Sequence, residues 1–223
     1  MSTRSWICFS SSSGQTFRTL YSALPQEARS QLKAFFVDRE CGALAVGQQE
    51  LGLHRTHALP RKEFEAEFLK WLAANPVSNG MILLCGFFGI LSEDFLSRCG
   101  MPVVNTHPSL LPAFPGKDEK VHAQAFESVT ISGFSVHLVN ESLDGGPMVF
   151  QHPVFLDPAW HSVRTREEIR SGEQKWLPRV WQRLLGSGIQ AVDRNLTTRA
   201  LREKYTLNMR SFHESDYLIT EKT

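Results

Sequence analysis

Asn105-Thr106-His107-Pro108-Ser109-Leu110-Leu111-Pro112 is the stretch from which the rest of the chain can be interpreted. It directly follows two valines, so it begins where a buried strand ends. Because residues i and i+2 of an extended chain point to the same side, the Asn105 amide and the His107 imidazole converge on one small volume. Pro108 and Pro112 restrict the loop beyond, since each fixes its own φ and biases the residue before it towards extended shapes.

A second polar stretch, Leu143-Asp144-Gly145-Gly146-Pro147, supplies a carboxylate on a turn. We expect its two glycines to let backbone approach a ligand closely. An amide, an imidazole and a carboxylate together can hold a carbonyl group, stabilise an oxyanion and move a proton. Asn105, His107 and Asp144 are therefore the candidate catalytic residues.

Short apolar runs alternate with helical patterns through the first half of the chain. The runs predict buried strands at residues 6–9, 32–37, 54–59 and 81–85. This alternation is typical of an α/β protein with a doubly wound, mostly parallel twisted sheet. Ligands of such sheets bind at the carboxyl ends of the strands. Three loops are predicted there, at residues 10–16, 86–91 and 105–107.

The second half of the chain predicts two more strands and a long helix. Residues 132–140 alternate, which indicates a strand with one wet or site-facing side. Residues 148–155 form the next strand, so Asp144 is expected on the loop that joins the two. Residues 164–185 are predicted to be helical, with a kink at Pro178.

The loop at residues 10–16 is rich in small residues and lies between a strand and a helix. This arrangement directs backbone amides and a helix N-terminus at one point, which favours an anion there. A serine-rich capping loop without a ligand is the alternative interpretation.

Composition excludes several classes of protein. A chain of 223 residues that is 42% hydrophobic suits one domain with a substantial core. The net charge of +1 predicts no nucleic-acid partner. The sequence contains no apolar run of 18 residues and no recognisable signal sequence, so we expect no membrane partner. Four scattered cysteines indicate reduced thiols and a cytoplasmic protein. His107, His137 and Asp144 could be considered as zinc ligands, but no metal-ligand spacing accompanies them, so we expect no metal.

Three motifs together resemble a known family. Residues 105–116 read N-T-H-P-S-L-L-P-A-F-P-G, residues 132–139 read S-G-F-S-V-H-L-V, and residues 143–147 read L-D-G-G-P. They resemble the formyltransferases that use 10-formyltetrahydrofolate, and most of all the phosphoribosylglycinamide formyltransferases. The resemblance covers residues 5–190.

The resemblance implies a formyltransferase fold with a Rossmann-like N-terminal half. It implies one domain over residues 1–223, in which residues 1–100 bind the nucleotide phosphate and residues 101–190 carry catalysis and folate binding. Residues 191–223 are expected to be a C-terminal extension. The implied partners are small molecules, with 10-formyltetrahydrofolate as co-substrate, and the implied protein is a monomer or homodimer.

The resemblance also implies roles for individual residues. The substrate phosphate and ribose are expected to contact Ser12, Ser13, Gly14, Gln15, Thr16 and Glu173. The folate is expected to contact Phe88, Gly89, Leu91, Val139, Asn140 and Asp144, and the supporting residues are Pro108, Ser135 and His137. The chain departs from the family at Gln15 and Thr16, where the family has Ser and Asn, at Gly89, where it commonly has Arg, and at Gln174, where it has His.

These departures leave three interpretations of the function. The first is an enzyme that transfers a formyl group to phosphoribosylglycinamide in purine synthesis. The second is an enzyme of the same chemistry with another acceptor, such as a nucleotide-linked amino sugar, or water. The third is a non-catalytic protein that binds folate or a nucleotide.

Overall fold

A computed structural model describes residues 4–116 and 118–187 of the chain. Its centre is a seven-stranded sheet in the order β3-β2-β1-β4-β5-β6-β7. The strands are β1 (Ser5–Ser10), β2 (Leu32–Val37), β3 (Thr56–Ala58), β4 (Gly80–Leu84), β5 (Val103–His107), β6 (Ile131–Leu138) and β7 (Met148–Phe155). Strands β1 to β5 pair in parallel, whereas β6 is antiparallel to both of its neighbours.

Helices cover both faces of the sheet. They are α1 (Gln15–Ala23), α2 (Gln26–Ser30), α3 (Gly42–Ala45), which continues as a π-helical turn at Val46–Glu50, α4 (Phe64–Ala74), α5 (Glu93–Cys99), α6 (Asp118–Ser128) and α7 (Ser162–Ser187). Ser92 caps α5, since its hydroxyl accepts a hydrogen bond from the Phe95 amide at 3.1 Å. Among the helices of the described residues, none combines the length and the apolar character that a membrane span requires.

The alternation of side chains along β1 divides the core into two clusters. Trp6 packs on one face of the sheet against Phe17 and Trp181. Phe9 packs on the other face, with a ring-to-ring distance of 4.8 Å to Phe68 of α4. Both faces of the parallel strands are thus buried, which explains why these strands are continuous apolar runs.

The predicted fold class is confirmed, and so are the strands at β1, β2, β4, β6 and β7. The third strand is shorter than expected, at Thr56–Ala58, and α4 begins at Phe64 because a turn occupies the residues after Pro60. The long helix is confirmed as α7, and Pro178 lies inside it; the kink stays a prediction. Expectations for residues 191–223 lie outside the described residues.

The sheet order reverses direction between β1 and β4, which creates a crevice at their carboxyl ends. The loops that follow the two strands meet there, since the Ser11 amide donates a hydrogen bond to the Gly86 carbonyl at 2.9 Å. The end of β5 lies beside β4 at the same edge. The fold therefore brings the three predicted ligand-facing loops to one edge of the sheet.

Candidate active site

The structure brings Asn105, His107 and Asp144 together at the carboxyl end of β5. Nδ1 of His107 is 3.5 Å from Oδ2 of Asp144. The same Asp144 oxygen accepts a hydrogen bond from the Gly116 amide at 2.9 Å. His107 is only 4% exposed and the Asp144 side chain 8%, so this pair is largely shielded from water.

His107 has an acceptor beside each ring nitrogen. Its Nε2 lies 2.9 Å from the Phe114 carbonyl oxygen, which can only accept, so Nε2 must carry a hydrogen. The Asp144 carboxylate faces Nδ1. An imidazole with a hydrogen on each nitrogen would satisfy both acceptors, and it would carry a positive charge beside the Asp144 carboxylate.

His137 orients the Asn105 amide. Nδ1 of His137 lies 3.0 Å from the Leu138 carbonyl and must donate to it, which leaves Nε2 as an acceptor in the neutral ring. Nδ2 of Asn105 lies 3.1 Å from this Nε2. Burial lowers the pKa of His137, and the charge of His107 adds to this, against the opposing effects of the Leu138 hydrogen bond and the Asp144 charge. The His137 ring is therefore neutral, and it fixes the Asn105 amide so that Nδ2 faces Nε2 of His137.

Ser135 supports the loop that follows His107. Its hydroxyl donates to the Ser109 carbonyl at 2.6 Å and accepts from the Leu111 amide at 3.0 Å. Nε2 of Gln151 donates to the same hydroxyl at 2.9 Å and to the Leu111 carbonyl at 2.8 Å. The site-facing side of β6 is thus buried rather than wet, because the loop covers it.

Asp144 itself, and not the glycines after it, has the left-handed backbone conformation, with φ of 52°. A Cβ atom on Gly146 would lie 1.8 Å from the Leu138 carbonyl oxygen. The close approach that requires glycine at residue 146 is thus to β6, and the expected approach of a ligand to the two glycines stays a prediction. The absence of a side chain at Gly146 allows the Asp144 loop to pack directly against β6.

A cavity of about 320 Å³ opens beside these groups, and we name it the Asn105 cavity. Its polar end contains Asn105, His107, His137 and Asp144. Most of the remaining wall comes from the loop after β4 and the loop after β6, and Arg61 is contributed by the turn between β3 and α4. The residues from the two loops include Phe88, Gly89, Leu91, Val139 and Asn140.

A smaller cavity of about 120 Å³ lies next to it, and we name it the Arg166 cavity. Its lining combines serine hydroxyls, two guanidinium groups and one carboxylate, from Ser12, Ser13, Arg166, Arg170 and Glu173. Gly86, Phe88 and Thr106 line both cavities, so the two share a wall. Such a pair of adjoining cavities suits two substrates that react with each other.

Comparison with known proteins identifies the family. A model described as formyl transferase matches residues 7–181. The chain belongs to the formyl transferase family. A phosphoribosylglycinamide formyltransferase of Bacillus subtilis (strain 168) is 30% identical to this family member over 190 residues, which are 82% of this chain and 95% of that protein.

Two solved structures extend the comparison. Glycinamide ribonucleotide transformylase 1 from Geobacillus kaustophilus is 30% identical, with a TM-score of 0.70, and the match covers 82% of this chain and 100% of that one. A phosphoribosylglycinamide formyltransferase from Anaplasma phagocytophilum is 25% identical, with a TM-score of 0.74 and coverage of 86% and 91%. The resemblance that the motifs carry thus extends to most of the fold.

Most of the residues expected at the site lie in the lining of one of the two cavities. The expected folate contacts line the Asn105 cavity, whereas Ser12, Ser13, Thr16, Glu173 and Pro108 line the Arg166 cavity. Two expected phosphate contacts lie elsewhere. Gly14 packs on Ala43 of α3, and the Gln15 side chain accepts a hydrogen bond from Arg18 at 2.8 Å.

Sequence reasoning missed the contribution of α7 beyond Glu173. Arg166 and Arg170 precede Glu173 by seven and three residues, which places all three on one face of the helix. His122 of α6 also lines this cavity. The helical spacing was the available signal, but nothing in it showed that this face is turned towards the serine loop.

Among the described residues, no group of three or more His, Cys, Asp or Glu side chains has an arrangement suited to a metal ion. His107 and His137 instead form hydrogen bonds to the Phe114 and Leu138 carbonyls, His137 also faces the Asn105 amide, and Asp144 accepts a hydrogen bond from the Gly116 amide. The geometry of the site therefore suits acid–base and electrostatic chemistry by side chains.

Proposed function

We propose that this chain transfers the formyl group of 10-formyltetrahydrofolate to the amine of 5'-phosphoribosylglycinamide. The observation that carries the proposal is the meeting of Asn105, His107 and Asp144 in a cavity that shares a wall with a second, cationic one. The relatives named above support the choice of acceptor, since the chain matches nearly their whole length.

In this proposal the folate donor occupies the Asn105 cavity. The apolar and backbone groups around Phe88, Gly89, Leu91 and Val139 suit a flat ring system, and Asn140 and Asp144 complete the wall. The formyl group then lies at the polar end, beside Asn105 and His107. We also propose that residues 101–190 carry catalysis and most of the folate binding, while the first half of the domain contributes the folate contacts at residues 88–91.

The acceptor occupies the Arg166 cavity. Nε of Arg166 is buried and has no hydrogen-bond partner within the described residues, so an anion would satisfy it. Arg170 adds a second positive charge, and α1 starts beside Ser12 and Ser13 with no side-chain cap and no acidic residue in its first turn. These groups suit a phosphate. Glu173, which accepts a hydrogen bond from Thr16 at 3.4 Å, is proposed to contact the ribose hydroxyls.

The reaction proceeds by direct attack. The acceptor amine forms a bond to the formyl carbon, and the carbonyl electrons move to oxygen. The second N–H of Asn105 and the positive charge of His107 stabilise this oxyanion. Asp144 assists removal of a proton from the attacking amine, and collapse of the intermediate breaks the bond to N10 of the folate, which leaves as tetrahydrofolate with a proton on that nitrogen.

Two hydrogen-bond partners orient the catalytic side chains Asn105 and Asp144. The neutral His137 ring holds Asn105 with its amide nitrogen towards the formyl oxygen. The Gly116 amide donates to Oδ2 of Asp144, and Oδ1, which lies 3.8 Å from Nε2 of His137, is the oxygen proposed to take part in the proton transfer. We further propose that the enzyme works in the cytoplasm, where the four free cysteines Cys8, Cys41, Cys85 and Cys99 stay reduced.

The test is an absorbance assay for release of the deformylated folate by the purified full chain. One reaction contains 10-formyltetrahydrofolate and phosphoribosylglycinamide, a second omits the acceptor, and others replace it with nucleotide-linked amino sugars. We expect turnover only in the reaction that contains phosphoribosylglycinamide as the acceptor. Turnover with an amino sugar or with water would replace the proposed acceptor, and folate binding without any turnover would overturn the assignment as an enzyme.

A further inference from the structure

The backbone of Phe88 is held at both its N–H and its carbonyl. Its N–H donates to the Ser11 hydroxyl at 3.0 Å, and its carbonyl accepts from Nη2 of Arg61 at 2.7 Å. Phe88 lines the Asn105 cavity and the Arg166 cavity, so this residue forms part of the wall between them. Whatever holds the peptide therefore influences the shape of both cavities.

Both holding groups converge on Asp38, at the end of β2. Nη1 of Arg61 lies 2.7 Å from Oδ2 of Asp38, and the Ser11 hydroxyl interacts with the same carboxylate and helps to lower its pKa. Asp38, Ser11, Phe88 and Arg61 thus form a closed ring of interactions. A hydroxyl can donate one bond and accept another, so Ser11 serves both neighbours at once.

The Asp38 carboxylate is well suited to anchor the ring. It is only 2% exposed, and Arg39 adds two further bonds at 3.0 Å and 3.1 Å. Burial opposes ionisation, but hydrogen bonds from Arg39 and Ser11 and the charges of Arg39 and Arg61 outweigh it and lower the pKa of Asp38. A buried carboxylate that has lost one partner is costly, so the ring resists opening.

Formyl transfer as described above makes no use of Asp38, which lines neither cavity. We propose that Asp38 is a positioning residue for formyl transfer, which acts through Ser11 and Arg61 to hold the Phe88 peptide as the wall between the two substrates. This inference rests on the proposed function. Its consequence is that opening the ring weakens the binding of both substrates, although Asp38 and Ser11 line neither cavity.

The test compares three substitutions. Arg61→Gln removes the hydrogen bond to the Phe88 carbonyl, and Ser11→Ala removes the hydrogen bond from the Phe88 N–H. Ser11 lines neither cavity, so its substitution changes no direct contact with a substrate. Arg39→Gln is the matched control, because Arg39 also binds Asp38 but forms no bond to Phe88. Calorimetry would measure the Kd of phosphoribosylglycinamide and of a non-reactive donor analogue with carbon at position 10, beside the steady-state KM values and the Tm.

We expect Arg61→Gln and Ser11→Ala each to raise both Kd values about 3- to 10-fold, which corresponds to the loss of one hydrogen bond. Arg39→Gln should change neither Kd by more than about twofold. A rise for the donor alone in Arg61→Gln, with Ser11→Ala unchanged, would mean that Arg61 contacts the donor directly, and would overturn the proposal.

Two further outcomes separate this inference from the proposed function. If Arg39→Gln weakens binding as much as Arg61→Gln and lowers the Tm equally, Asp38 only stabilises the fold and the positioning role is rejected. If the wild-type chain binds neither probe, the proposed function itself fails. Normal wild-type binding and turnover with unchanged Kd values in Arg61→Gln and Ser11→Ala would reject the positioning role alone.

Discussion

Nδ2 of Asn105 and Nε2 of His137 face each other at 3.1 Å across the pairing of β5 with β6. The two residues are direct partners in this antiparallel pair, so the contact follows from the register of the sheet. It determines which atom of the amide is directed towards the cavity. We expect His137→Leu to lower kcat about 10- to 100-fold, because a small misplacement of a catalytic group is costly.

His137→Gln is the control for that substitution. The Gln side chain carries an oxygen that can accept from Asn105, so it should restore more of kcat than Leu does. Steady-state kinetics with both substrates near saturation measures the difference. Equal activity of the Leu and Gln variants would show that the hydrogen bond to Asn105 has no role.

The catalytic groups themselves should be far more sensitive. Asn105→Ala and Asp144→Ala should each lower kcat at least about a hundredfold, since each removes a group that acts only as charge develops in the transition state. Asn75→Ala is a suitable control, because Asn75 bonds only to the end of α4, through the Trp71 carbonyl. Near-normal turnover of either site variant would contradict the assignment of the catalytic residues.

Arg166 should report on the phosphate. We expect Arg166→Gln to raise the KM for phosphoribosylglycinamide about 10- to 100-fold, as for the loss of a hydrogen bond between charged groups. The KM for the dephosphorylated acceptor should not change, because that acceptor has no phosphate for the guanidinium to bind.

Arg164→Gln is the matched control on the same helix. Arg164 is exposed and pairs with Glu167 and Glu168, away from both cavities. Its substitution should leave both KM values unchanged. A similar rise for both acceptors in Arg166→Gln would place Arg166 outside the phosphate contact.

Asp38 predicts how stability depends on pH. Its pKa is below the ordinary value of 3.8 in the folded chain, so the unfolded chain binds the proton more readily. The stabilisation is complete above that ordinary value and is lost as the pH falls through the lower pKa of the folded state. Urea unfolding at pH 6 and at progressively lower pH should show the advantage of wild type over Asp38→Asn shrinking below about pH 4. A difference that does not change with pH would contradict this.

Gly146 should tolerate no side chain. A Cβ there meets the Leu138 carbonyl oxygen at 1.8 Å, so Gly146→Ala should lower the free energy of unfolding by roughly 1–3 kcal/mol and displace Asp144. Gly186→Ala is the control, because outside its own helical turn none of the described residues comes within 4 Å of the added carbon. It should be neutral or slightly stabilising in the same unfolding experiment.

The local features of this protein could be predicted because they depend on neighbours in the chain. Apolar runs identified the strands that are buried on both faces, and the two-residue spacing of Asn105 and His107 placed both at the end of β5. The loop between β6 and β7 was expected to present Asp144, and it does. Element ends were less certain, as at β3, because turn residues around Pro60 interrupt the pattern.

Contacts between distant parts of the chain depend on the order of the strands and on the rotation of each helix. The sheet order puts the ends of β1, β2 and β4 side by side, and so joins Asp38 to Ser11 and both to the Phe88 peptide. The rotation of α7 turns Arg166 towards Ser12 and Ser13. Local periodicity states which residues share a face but not what that face meets, since packing across the whole core settles this. The chemistry of the catalytic groups could therefore be predicted from the sequence. The Arg166 cavity, and the wall that Phe88 forms between the two cavities, are created only by the tertiary structure.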